Sequence, residues 1–101
     1  VGCRLQVATS ATVTIERLHG VDDHLDALER LAIGAHVRQQ LDYPTAWKIV
    51  AFCLAARDET PEERWTHWQQ LLRDVPILAE PPWAPTVAAL DEALRRSRLP
   101  R

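Results

Sequence analysis

Glycine is scarce in this chain, with only Gly2, Gly20 and Gly34, and no two of them lie close together. A phosphate-cradling loop and a dinucleotide fingerprint both need clustered glycines, so both are excluded. A Gly-x-Ser-x-Gly elbow and a His-Glu-x-x-His zinc motif are missing as well, which removes the commonest hydrolase signatures. The two cysteines, Cys3 and Cys53, have no metal-ligand or redox spacing. Cys53 sits in the most apolar stretch and reads as a small core residue. No apolar run approaches the roughly 20 residues of a membrane span. Nor is there a surplus of one charge: the formal net charge of −2 and the pI near 6.1 give no overall attraction to nucleic acid or anionic lipid. Methionine is absent, and an opening Val1 fits a removed initiator, a non-Met start codon or an excised fragment equally well. The first fifteen residues make a poor signal-peptide core, which leaves the cytoplasm as the default expectation.

What remains is the balance of an ordinary globular domain, 47% apolar and 26% charged over 101 residues, expected to form one unit spanning residues 1–101. Four tryptophans in so short a chain are unusual. Each can withdraw roughly 150–250 Å² from water. The densest apolar stretch runs from Pro44 to Arg57. On a helical wheel, Ala46, Trp47, Ile49, Val50, Phe52, Cys53, Leu54 and Ala56 cover well over half the circumference and leave a strip of Lys48, Ala51 and Ala55. A helix so apolar needs neighbours on most sides. The expected fold class is therefore all-α, a small bundle of four or five helices around a buried central helix at about 44–57.

The N-terminal segment, residues 1–20, departs from this pattern. Leu5, Val7, Ala11, Val13 and Ile15 alternate with polar residues and include several β-branched types, which reads as a short extended or β-like segment. A lone strand, however, leaves its backbone groups unpaired. A hairpin at Thr9-Ser10, pairing with another chain, and a helix over about Thr12–His19 all remain open, with Gly20 ending the segment. A helix then opens at Val21-Asp22-Asp23 and buries Leu25, Leu28, Leu31 and Ala32, with Asp26 and Arg30 paired outside. At Gly34 the stripe shifts to Ile33, Val37 and Leu41, which predicts a bend or a break. Thr60-Pro61-Glu62-Glu63 is a capping box with proline at the first helical position, and it opens a helix whose face is Trp65, Trp68, Leu72 and Val75. Prolines 76, 81, 82 and 85 make a rigid connector over 76–85, strapped across the bundle with Trp83 inserted. A last helix from near Pro85 buries Val87, Leu90 and Leu94 and pairs Asp91 with Arg95 and Glu92 with Arg96. Residues 97–101 form a basic tail.

No motif specifies a reaction, so each functional candidate rests on residue type and position. Trp, Tyr and Arg are the usual anchors of protein interfaces. The leading expectation is a non-catalytic interaction or regulatory domain, an adaptor, inhibitor or small subunit, whose partner is another protein or a second copy. The candidate contacts are Trp83, Tyr43, Lys48, the alternating Val13 and Ile15, and Arg95, Arg96 and Arg98. The alternative is a small helical enzyme or ligand-binding bundle using His24 or the Glu63/His67 pair, which at i,i+4 could orient an imidazole or begin a metal site. A solvated polar face opposite the tryptophan stripe is the plainer account of Glu63 and His67, and no cofactor or metal is implied. Nucleic-acid binding through the Arg-rich C-terminus is a third reading. The chemistry argues against it, because the central helix offers only Lys48 to base edges.

Overall fold

The computed structural model describes residues 2–98, with side chains described from Gly20 onward. Four α-helices make up the fold: α1 (Gly2–Val37), α2 (Tyr43–Ala56), α3 (Pro61–Asp74) and α4 (Ala84–Arg98), with a 3₁₀ turn at Pro76–Ala79 between the last two. The all-α bundle is as expected, and the described residues contain no strand.

The N-terminal segment resolves as helix and runs unbroken through Gly20 and Gly34 to Val37. The extended reading gives way for the reason that made it awkward. With no partner strand, a helix is the local structure that satisfies its own N–H and C=O groups. Gly20 imposes no stop, since neither it nor Gly34 has positive φ and a Cβ at Gly20 would meet nothing within 4 Å. The chain reverses five residues beyond Gly34. Gln40 donates its amide to the Ala35 carbonyl at 2.8 Å and Gln39 to the His36 carbonyl at 2.9 Å, with Gln39 at φ 62°. That pair of bonds around a left-handed residue is a Schellman cap.

The starts of α2 and α3 follow local chemistry. Asp42 caps α2, its carboxylate accepting from the Thr45 amide (3.1 Å) and hydroxyl (3.0 Å), with Pro44 in the first turn where its missing N–H is not needed. The capping box of α3 is complete: Thr60 Oγ1 accepts from the Glu63 amide at 3.2 Å and Glu63 Oε1 accepts from the Thr60 amide at 3.0 Å. Both carboxyls are held below their ordinary values by these bonds, Asp42 mainly by the Thr45 hydroxyl and Glu63 mainly by the Thr60 amide.

The core gathers one stripe from each helix: Leu25, Leu28, Ala32 and Ala35 from α1, Ala46, Ile49, Phe52, Cys53 and Ala56 from α2, Trp68 and Leu71 from α3, and Leu90 and Leu94 from α4. Val75, Leu78 and Trp83, from the connecting segment, close its end. Trp68 is fully buried; it stacks at a tilt on Phe52, ring centroids 5.5 Å apart, and donates Nε1–H to Asp91 Oδ1 at 2.9 Å. That bond satisfies the one polar atom an indole brings into a core. The Cys53 thiol is buried among these groups, and burial pushes its pKa up to about 12. Of the expected outer pairs, Asp91–Arg95 (2.8 Å) and Glu92–Arg96 (3.0 Å) form. Asp26 turns instead from Arg30 to Arg57, which bridges Asp26 (2.6 Å) and Glu29 (3.0 Å) and fastens the end of α2 to α1.

Candidate interaction surface

The burial of α2 is one-sided. Ala46, Ile49, Phe52, Cys53 and Ala56 face the core, while its apolar residues extend much further round the helix than the neighbours do. Two open faces result, one on each flank.

The first lies over the α1–α2 hairpin. The large apolar side chains left exposed among the described residues are Val37 (73%), Tyr43 (63%), Trp47 (51%), Leu54 (48%) and Ile33 (47%). On α2, Tyr43, Trp47, half-buried Val50 and Leu54 advance by four, three and four residues, which puts them on one stripe. On α1, Ile33 and Val37 are four apart and adjoin it. Two contacts fix the antiparallel register of the hairpin: Arg57 against Asp26 and Glu29 at one end, and the His36 ring edge-on to Tyr43 at 5.7 Å at the other. His36 is held by donating Nδ1–H to the Leu41 carbonyl at 3.0 Å. In that register Ile33 falls opposite Val50 and Val37 opposite Ala46 and Trp47, so the six side chains form one continuous apolar face. Toward the Arg57 end it passes into a stripe of Asp22, Asp26 and Glu29 on α1.

The second open face is a groove of about 350 Å³ between α2 and α3, floored by Ala51, Phe52, Ala55 and Leu71 and edged by Lys48, Glu59, His67, Gln70 and Asp74. The strip of Lys48, Ala51 and Ala55 thus lines an open channel, with no helix covering it among the described residues. His67 Nδ1 meets Glu59 Oε2 at 2.7 Å on its rim, and the second oxygen of Glu59 is buried without a hydrogen-bond partner.

The sequence-derived candidates scatter over the molecule. Tyr43 stands on the hairpin face and Lys48 on the rim of the groove. Trp83 is 6% exposed and packed into the core; it plugs the end of the bundle and is not offered to a partner, which corrects its candidacy as a surface anchor. Val13 and Ile15 fall where side chains are not described. Arg95, Arg96 and Arg98 are each engaged within the chain. Arg98 reaches Glu62 of α3 at 3.2 Å, and the guanidinium groups of Arg95 and Arg98 both lie 5.2 Å from the Trp65 ring centre. The basic patch of the sequence is therefore largely spent on holding α4 to α3. Glu63 and His67 do not come together: the capping box takes Glu63, and His67 pairs with Glu59. His24 is half-buried on α1. Among the described residues no three His, Cys, Asp or Glu side chains gather as a metal site would require, and no helix is long and apolar enough to cross a membrane.

Trp47, Leu54, Ile33 and Val37 are the surface residues that sequence reasoning missed. The signal was present in the four-three-four spacing of Tyr43, Trp47, Val50 and Leu54, but an equally apolar opposite face concealed it. Comparison with family models, curated proteins and solved structures finds no match for the chain.

Proposed function

We propose that the chain is a non-catalytic protein-interaction domain, an adaptor, inhibitor or small subunit, that docks a partner on the outer face of the α1–α2 hairpin. The observation carrying this reading is the collection of Ile33, Val37, Tyr43, Trp47 and Leu54, all about half exposed or more, on one side of the molecule. Side chains of these sizes at these exposures present on the order of 600 Å², the upper end of what monomers usually leave open. Apolar surface on that scale is held in water at a cost that a partner would relieve. Two of the five are Tyr and Trp, the residues that most often carry interface energy, and the charged margin supplies the polar rim such interfaces have.

The test is face-dependent capture. A tagged chain is expected to bring down a protein partner, a second copy included, from an extract of its native cells; Trp47→Glu should release it, and Gln70→Lys in the α2–α3 groove should not. Retention of the same partner by Trp47→Glu, with helical content unchanged by circular dichroism, would refute the assignment of the face.

A further inference from the structure

Resting on that docking reading, the geometry points to a second copy of this chain as the occupant of the face, antiparallel about a two-fold axis passing between Trp47 and Val50. The first argument is the stripe itself. Its four-three-four spacing reads the same in both directions and has the alternation of four- and three-residue steps found in helix seams. Turned about the axis, Trp47 of one copy meets Val50 of the other, and Tyr43 meets Leu54. Each ring then rests on an aliphatic side chain, whereas a parallel arrangement sets Trp47 on Trp47 and Tyr43 on Tyr43. An isologous contact of this kind closes on itself and leaves no edge for further growth.

Charge gives the same orientation. Asp22, Asp26, Glu29 and Asp58 gather at the end of the face away from the α1–α2 loop, with Arg57 among them. Parallel stacking sets these acids against their own copies. Antiparallel stacking separates them and turns them toward the partner's loop end, where Arg38 has no ion pair among the described residues. Asp42, the acid at that end, is occupied in capping α2. The area is also of the right order: the five exposed side chains with the flanks of two helices approach the ~800 Å² per partner of a standard interface.

Sedimentation of the purified chain across the micromolar range is expected to show a concentration-dependent monomer–dimer equilibrium. Trp47→Glu should weaken it at least about thirtyfold, as loss of a central aromatic anchor does, and Gln70→Lys should leave it unchanged. Orientation is read by cross-linking on a Cys3→Ala background, where a mixture of Tyr43→Cys and Leu54→Cys chains should form a mixed disulfide and neither should link to itself. A monomer at every concentration, a dimer indifferent to Trp47→Glu, or self-linked Tyr43→Cys each overturns the proposal. Face-dependent capture of a different protein by a monomeric chain would overturn the dimer and leave the docking reading standing.

Discussion

Trp68 shows how much of the core rests on single polar contacts. Its indole is fully buried and its one donor ends on Asp91, which also accepts from Arg95 at 2.8 Å. Removing the acceptor strands a buried N–H. Asp91→Ala is therefore expected to lower the urea-unfolding free energy by about 1–3 kcal/mol, while Asp91→Asn, which keeps an acceptor oxygen, should lose clearly less. The tryptophans also mark how far single residues were legible. Trp68 lies on a plain i, i+3, i+7 stripe, and its burial followed from spacing. Trp83 is inserted as the proline-rich connector predicted, which removes it from the surface candidates, while Trp47, set on a helix read as buried, came out half exposed because burial depends on which neighbours arrive. The proline-rich segment folds Trp83 back onto the bundle, whereas among the described residues nothing reaches the outer side of α2 at Trp47.

At the scale of elements, legibility tracked how local the cause is. The capping box of α3 occupies four consecutive residues and its geometry is complete, so it could be read directly. The end of α1 could not. Gly34 invited a bend, yet the left-handed position that reverses the chain belongs to Gln39, a residue with no special claim to it. A non-glycine side chain there is strained by about 1–2 kcal/mol, partly offset by the extra backbone entropy a glycine loses on folding. Gln39→Gly should accordingly stabilise the protein by about 0.5–1 kcal/mol, measured by thermal or urea unfolding. Destabilisation would show that the Gln39 side chain contributes something its backbone geometry does not reveal. The N-terminal alternation failed for a different reason. A period-two pattern specifies a strand only when another strand exists to pair with it, and that is a property of the rest of the chain.

The whole molecule combines these pieces into a stability that leans on acids at helix starts. The Asp42 and Glu63 carboxyls are held below their ordinary values of 3.8 and 4.5, and both caps join a helix to the preceding loop. Because each folded pKa lies below the unfolded one, each contribution is complete above the unfolded value and is lost as pH falls through the folded one. The melting temperature should be flat across neutral pH and decline below about pH 4.5, and Glu63→Gln, which removes the titrating carboxylate from the box, should be less stable at pH 7 and lose less on acidification. The all-α class and single core were legible because four apolar stripes had to meet somewhere. The docking face was not, since a helix apolar nearly all round does not say which side the bundle will use.

The four indoles now differ sharply in surroundings. Trp68 and Trp83 are buried and Trp65 lies under two guanidinium groups, so Trp47 alone stands open to solvent. The molecule therefore carries a built-in optical gauge: the iodide-quenchable fraction of its emission comes chiefly from the centre of the proposed docking face, and its disappearance would report occupancy without any label.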